Sequence, residues 1–436
     1  MADYDRVLIP TDFSPWAAAS VERCPEIPGV REVVLLHVTT PRELHASHTS
    51  GGNNDLELSR IRQHLENDGK FLEEQGLHVT IEVEPSHGPV IARTILQAAD
   101  RTGATLILIG ARGAGRVREA LLGSVSHDVI RHAKQHILVM HPRSYNNSQP
   151  RNATACPLLF SKALCPLDLS RVSEETIRST QGLNHRSHLI LFHAISQADS
   201  VAQLNLIRKR ATDRLDELRS EIVAQGGSAE INVRMGNPVL LSCTDAERED
   251  VSLILLSRYG RFDYMKNIPI GATTEAIAMH STRPVLIRNT KIPLELIVRE
   301  LSHEEFSLAE QVWEQYHRQK ADRSADRIFA IFIEGTVAGV ARCKRHPDGV
   351  EVDGVFVGNE FRDRGYARRL MQELVRQRGH DVLYMHSTLE LVSFYKSFGF
   401  IPIGESELPP TIRERFNFAL GNMQGSDVCP MRRTPP

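Results

Sequence analysis

Two clusters in this 436-residue chain have the residue types and spacing to hold phosphate, and one of them lies near groups able to move a proton. The first is Arg362-Asp363-Arg364-Gly365-Tyr366-Ala367-Arg368, preceded by the apolar run Val355-Phe356-Val357. A glycine turn at a helix start, flanked by arginines, offers free backbone N–H groups and positive charge to an anion. Glu351 lies six residues before Val357, and Asp353 shares its side of the strand by the period of two. Tyr395 follows thirty residues after Gly365. The second cluster is Gly110-Ala111-Arg112-Gly113, nine residues, then Gly123-Ser124-Val125-Ser126. Its glycines let backbone approach an anion, and Gly123-Ser124 opens a helix whose N–H groups and hydroxyl suit phosphate oxygens. Arg112 and Arg116 add positive charge.

These residues need elements to position them. Around the second cluster, apolar runs at Arg6–Pro10, Val33–Val38, His78–Val83, Thr105–Ile109 and Ile137–Met140 read as strands. Amphipathic helices fall at 56–75, from Gly88-Pro89 into 90–99, and near 124–133. Strands alternating with helices predict a doubly wound parallel α/β sheet, with ligands beyond the carboxyl ends of the strands. Asp12 follows the first strand through Pro10-Thr11 and belongs at that edge, where it suits ribose hydroxyls.

The pattern then repeats. Leu164-Cys-Pro-Leu-Asp168-Leu-Ser170 echoes Leu8-Ile-Pro-Thr-Asp12-Phe-Ser14, and His37 and His193 each lie 25 residues after their aspartate. Gly236-Asn-Pro238, Val251–Leu256 and Pro284–Arg288 supply further landmarks in the same order, so the front of the chain is a tandem duplication. The second copy departs at its cradle. Ser257 replaces the first glycine, ten residues rather than nine precede Gly271, and Ala272 replaces the serine, so side-chain bulk and a one-residue slip are expected to spoil it. His37 and His193 sit in apolar strands and read as packed core residues, while His45 with His48 and His185 with His188 are too sparse for a metal site.

The last third reads differently. Strands at 294–299, 328–333, 337–343, 350–357, 381–386 and 401–403 surround helices at 306–316, after Gly365 and at 389–397, with 428–432 as a final strand. This is a mostly antiparallel α+β sheet with a strand–loop–helix phosphate site in its middle. The resulting organisation is residues 1–142, a Ser-, Asn- and Pro-rich linker at 143–155, residues 156–290, and residues 291–436.

The front motif resembles that of the universal stress protein family of the ATP-binding kind. That signature is Gly, two residues, Gly, nine residues, Gly, then Ser or Thr, matched by Gly110, Gly113, Gly123 and Ser124. The resemblance implies that Pro10, Thr11, Asp12, Val38, Gly110, Arg112, Gly113, Gly123, Ser124, Val125 and Ser126 hold ATP or another adenine nucleotide, with or without Mg2+. It also implies pairing of the two repeats through their last strands, an intrachain pseudo-dimer, and leaves a homodimer open.

Residues from about 295 to 405, and onward toward the end, resemble the GNAT superfamily of N-acetyltransferases. Its acetyl-CoA loop, Gln/Arg-x-x-Gly-x-Gly/Ala, is matched by Arg362–Ala367, and its Phe-Tyr followed by Gly-Phe by Phe394-Tyr395 and Gly399-Phe400. The resemblance implies that acetyl-CoA lies on Val355, Phe356 and Val357 and on the loop Arg362 to Arg368. It implies Glu351 as base and Tyr395 as the acid that protonates the departing thiolate, with Asp353 as a substitute base. No acyl-enzyme is implied, so Cys343 and Cys429 are not nucleophiles. The expected function is acetyl transfer to an amine, protein lysine first and a small-molecule amine second, under a nucleotide-binding stress module. The rival is a stress-response protein that binds nucleotide and acetyl-CoA without catalysis.

Composition fits this reading. Hydrophobic residues make up 41% and charged residues 24%, as in globular proteins. A net charge of −2 gives no general case for nucleic acid or an anionic membrane, and no apolar run reaches a membrane span. The acidic Met-Ala-Asp-Tyr-Asp start is no signal peptide, and six scattered cysteines suit a cytoplasmic protein without a disulfide framework or zinc site.

Overall fold

The computed structural model describes residues 4–39, 54–86, 90–113, 122–141, 158–180, 187–260, 263, 268–314, 318–422 and 428–435. The linker 143–155, Gly88-Pro89, Arg116, His45, His48 and His185 lie outside these residues. The chain divides into two compact units, 1–292 and 293–436. Among the described residues no helix is long and apolar enough to cross a membrane.

In the first unit, the first repeat supplies strands β1 (Arg6–Pro10), β2 (Glu32–Thr39), β3 (His78–Pro85), β4 (Leu106–Gly110) and β5 (His136–Met140). Helices α1 (Pro15–Arg23), α2 (Asn54–Glu74), α3 (Ile91–Thr102) and α4 (Ser124–His132) connect them. The second repeat supplies β6 (Lys162–Pro166), β7 (His188–Ile195), β8 (Ser228–Met235), β9 (Leu253–Ser257) and β10 (Val285–Arg288). Its helices are α5 (Arg171–Arg178), α6 (Val201–Ala224), α7 (Pro238–Arg248) and α8 (Ala272–His280). All ten strands form one sheet in the order β3-β2-β1-β4-β5-β10-β9-β6-β7-β8.

Every neighbouring pair is parallel except β5 and β10, which run antiparallel with Leu138 opposite Leu286. That pairing welds the two repeats into one unit. The central strands are apolar on both faces because helices cover both. Val7 and Ile9 feed one core, which continues through Leu138 and Leu286 into the second repeat, and Leu8 feeds the other.

The second unit is built on a seven-stranded sheet in the order β11-β12-β13-β14-β15-β17-β16. The strands are β11 (Leu296–Glu300), β12 (Asp326–Ile333), β13 (Thr336–His346), β14 (Gly349–Val357), β15 (Leu383–Thr388), β16 (Ile401–Pro402) and β17 (Val428–Arg433). Helices are α9 (Phe306–Trp313), α10 (Tyr366–Arg378), α11 (Val392–Lys396) and α12 (Pro410–Asn422). Only β14 and β15 pair in parallel, and only over Val350–Val352 against Leu383–Met385. Beyond those pairs the two strands part, so among the described residues the β15-facing edge of β14 from Asp353 onward has no strand partner. A β-bulge at Gly354–Val355 puts one extra residue against β13. Gly354 takes φ 57°, and the Trp313 indole Nε1–H donates to its carbonyl at 2.8 Å, which pins the bulge.

Candidate functional site

In the first unit the candidate site lies at the carboxyl ends of β1 and β4, neighbours whose connections lead to opposite sides. Pro10 closes β1, Thr11 N–H bonds the Leu36 carbonyl at 2.8 Å, and Thr11 Oγ1 accepts from Phe13 N–H at 3.1 Å. Phe13 adopts φ 57°, a left-handed conformation that costs a side-chain-bearing residue about 1–2 kcal/mol. Leu169, its counterpart in the second repeat, adopts φ 58°. The turn directs Asp12 outward, with its Oδ1 accepting from Ser14 N–H at 3.1 Å.

His37 Nδ1 lies 2.8 Å from the Thr11 carbonyl, and His193 Nδ1 lies 2.8 Å from that of Leu167. These histidines brace the aspartate turns from within the sheet. Val38 is buried near the end of β2.

Gly113 faces Asp12. A Cβ at Gly113 would lie under 3.0 Å from Asp12 Oδ2, so only glycine lets the loop and the carboxylate share this space. Gly110 serves packing instead. A Cβ there would meet Trp16 Cβ at 2.8 Å, so its absence lets β4 pack on α1. Gly123 N–H donates to the Ala111 carbonyl at 2.7 Å and closes the loop, leaving Ser124 exposed on the first turn of α4 with no side chain capping it. Val125 is half-buried beside it. Ser126 is turned inward and donates to the Gly110 carbonyl at 2.8 Å. Thr274 makes the same bond to Ser257 at 2.8 Å, so this contact belongs to the framework of both repeats. Arg112 is half-buried behind the loop, and its charge, after burial itself, helps hold the His141 imidazole down at about 4.

The second repeat corrects one expectation. The extra residue does not break the closing bond, because Gly271 N–H still reaches the Arg258 carbonyl at 2.9 Å, as Gly123 N–H reaches that of Ala111. The occupant is what differs. Asp263 Oδ2 lies where a Cβ on Gly271 would be 2.6 Å away, and it accepts from Gly260 N–H at 3.4 Å. Arg258 replaces Ala111 and is buried, donating to the Pro269 and Arg131 carbonyls at 2.7 and 2.8 Å. A side-chain carboxylate thus stands between the two glycines of this cradle.

In the second unit the loop before α10 curls through two left-handed residues, Asp363 at φ 61° and Gly365 at φ 75°. Among the described residues no side chain caps α10, and, its chain neighbours and own helix aside, no atom lies within 4 Å of where a Gly365 Cβ would be. The N-terminal N–H groups of a 13-residue helix therefore open onto free space at Tyr366, Ala367 and Arg368. Tyr366 is buried beneath them, Arg364 and Ala367 are half-buried, and Arg362 is exposed with its guanidinium 5.3 Å from the Phe356 ring centre. Arg368 leans over Phe394 and Phe398 and donates to Ser397 Oγ at 3.1 Å. Val355, Phe356 and Val357 line the parted edge of β14. This cradle and edge fit the pyrophosphate and pantetheine arm of acetyl-CoA. Tyr395 is buried on α11 against Phe394 and Phe400.

Glu351 stands in a different setting from an open base. It is 1% exposed. Its Oε2 accepts from His346 at 2.9 Å and meets Arg415 Nε at 2.7 Å, while Oε1 lies 3.0 Å from His386 Nε2. Burial pushes this carboxyl up, but the His386 contact, the Arg415 charge and the His346 bond together hold it below the ordinary glutamate range. Asp353 does share its side, since Arg415 Nη2 also reaches Asp353 Oδ2 at 2.8 Å. Arg342 grips Asp353 with two bonds of 2.6 Å, so that carboxylate is committed to an ion pair and ill placed to serve as a substitute base. The Cys343 thiol is pushed up to about 12 by burial, which suits no nucleophile. Nothing in the sequence points to His346 or His386, and Arg415 reads there, with Arg413, Arg432 and Arg433, only as part of a solvated basic end. His346, His386 and Arg415 come from β13, β15 and α12, and no local spacing links them.

The universal stress protein family model matches residues 3–141 and 160–288, and the acetyltransferase (GNAT) family model matches residues 294–400. Universal stress protein MJ0577 of Methanocaldococcus jannaschii is 28% identical over 158 residues, 31% of this chain and 94% of that protein. A universal stress protein structure from Archaeoglobus fulgidus is 18% identical, with a TM-score of 0.47 over 65% of this chain and 98% of that one. Escherichia coli ElaA is 18% identical, with a TM-score of 0.25 over 32% of this chain and 99% of that one. Duplicated strand order, glycine cradles and family matches agree: this chain belongs to the universal stress protein family, with a GNAT acetyltransferase domain following its two stress-protein repeats.

Proposed function

We propose that the chain is an acetyl-CoA-dependent N-acetyltransferase acting on a primary amine, protein lysine first, and that its first repeat binds an adenine nucleotide. The observation that carries the transferase reading is the uncapped start of α10 at Gly365 beside the parted edge of β14. Acetyl-CoA supplies an acyl thioester. The N–H groups at Tyr366 to Arg368 hold its phosphates, and the edge from Val355 to Val357 aligns the arm. A lysine amine ordinarily titrates near about 10.4 and must lose a proton before or during attack, so the site needs a proton acceptor. The Glu351 cluster supplies that function, and Tyr395 returns a proton to the leaving sulfur.

The nucleotide reading rests on Asp12 and Gly113 facing each other across the gap between β1 and β4. Asp12 takes the ribose hydroxyls, and Gly113, Gly123 and Ser124 take the phosphates. A nucleotide that modulates the transferase must bind with an affinity that acetyl-CoA changes by the same factor. Identical ATP affinity with and without saturating acetyl-CoA would remove that coupling.

Release of CoA, followed over lysine peptides and small primary amines, tests the transferase. Wild type is expected to release CoA faster than hydrolysis with at least one amine, and Tyr395→Phe to slow it. No release above hydrolysis with any amine would leave a binding protein in its place.

A further inference from the structure

Glu351 turns three of its four lone-pair positions to His346, Arg415 and His386, and its carboxyl is held below the ordinary range, so it is a poor acceptor for a proton arriving from an incoming amine. A group able to meet that proton stands one strand over. His386 follows Met385, the last β15 residue paired with β14, so it stands where the two strands separate. Tyr384 is opposite Glu351 in that parallel ladder, and His386, two residues on, points to the same side. Its Nε2 faces Glu351 Oε1 at 3.0 Å, off the line of an ideal hydrogen bond, and Phe416 covers the ring with 5.2 Å between ring centres. Its Nδ1 is buried and reaches no polar partner among the described residues. A buried nitrogen left unpaired costs about 1–3 kcal/mol, and such exceptions need a reason.

We propose that His386 is the proton acceptor of the transferase, with Glu351 as the positioning residue that fixes its tautomer. The inference rests on the acetyl-transfer reading given above. Glu351 takes the Nε2–H, which leaves the Nδ1 lone pair unengaged at the point where β14 and β15 separate. As the nitrogen–carbon bond forms, the amine's proton passes to Nδ1. The carbon–sulfur bond breaks, and the thiolate takes its proton from the Tyr395 hydroxyl. Exchange with solvent then returns a proton to Tyr395 and removes one from His386, so amine and thioester become amide and thiol. An imidazole suits this role because it changes charge near neutral pH, whereas a carboxylate held below its usual range accepts a proton poorly. The charged and titratable groups around the cluster are Glu351 and Asp353 on β14, Arg342, Lys344 and His346 on β13, Tyr384 on β15, Arg415 on α12 and Arg432 on β17.

The test uses the full chain, acetyl-CoA and whichever lysine peptide or primary amine wild type turns over, from pH 5 to 9. Wild-type kcat/KM is expected to rise through one imidazole-like inflection. His386→Gln is expected to lose about 10²–10³-fold in kcat and to lose that inflection. Glu351→Gln should slow turnover but keep an inflection. Acetyl-CoA affinity and melting temperature equal to wild type certify that the variants are folded, and His386→Asn is the second variant should Gln fail that check. A His386→Gln or Asn enzyme that keeps its kcat within about threefold and its pH inflection overturns the proposal. Wild type that acetylates no amine while binding acetyl-CoA instead fails the transferase reading itself and takes this proposal with it.

Discussion

Replacing Gly113 by alanine separates binding from folding at the first-repeat site. Gly113 does not take a left-handed φ, so alanine costs no backbone strain there. Among the described residues, its chain neighbours aside, the new methyl would meet only Asp12 Oδ2 and Cγ within 4 Å, the former at under 3.0 Å. The carboxylate is the movable partner, so it rotates away and gives up its 3.1 Å bond from Ser14 N–H. If Asp12 holds the ribose, one charge-assisted hydrogen bond lost is worth about 1.5–3 kcal/mol. That is about a tenfold to hundredfold weaker ATP affinity. The melting temperature should hold or rise slightly, since glycine-to-alanine changes at unstrained sites restrict the unfolded chain. Calorimetric titration of ATP and a thermal melt measure both quantities. Gly110→Ala is the contrasting control: its methyl would lie 3.1 Å from the Trp16 backbone, so it should cost about 1–3 kcal/mol of stability. Wild-type ATP affinity in Gly113→Ala would refute the placement of the ribose on Asp12.

Three other outcomes are expected. His141 is held at about 4, against an ordinary value of 6.5, chiefly by burial and then by the Arg112 charge. Its folded-state value is depressed, so the stability it allows is complete above pH 6.5 and about 3 kcal/mol is lost as pH falls toward 4. His141→Leu should flatten that part of the denaturant-unfolding profile against pH, and an unchanged slope would refute it. With Asp263 standing in the second cradle, calorimetry should find one ATP per chain; two equivalent sites would show that the carboxylate blocks nothing. Gly354→Ala should cost about 2–4 kcal/mol in thermal unfolding, because its φ is 57° and a methyl would meet the Trp313 ring at 2.9 Å. A Gly354→Ala protein as stable as wild type would mean that the bulge is not pinned as described.

Much of the framework follows from local chemistry. Period-two and period-3.6 patterns mark the strands and most helices, and the Gly110–Ser124 and Arg362–Ala367 spacings mark both cradles, because glycine turns and helix starts are local events. Helix α12 escaped that reading. Part of its first-turn capping comes from Asp348, which accepts from Thr411 N–H at 3.0 Å across 63 residues. The survival of the second cradle's closing bond was also hidden, since the bond from Gly271 N–H to the Arg258 carbonyl bridges the added residue.

The sequence by itself determined the duplication, the two sheet types and the backbone cradles, since each depends on residues close together in the chain. Tertiary structure alone decided the burial and the partners of the side chains around Glu351. The family resemblance makes Glu351 a base on the strand before the loop. Packing by His346, His386 and Arg415, brought from three separate elements, makes it a buried anchor held below its usual range, and leaves His386 Nδ1 without a partner among the described residues. Burial and ion pairing are sums over neighbours in space, and spacing along one strand carries no record of them.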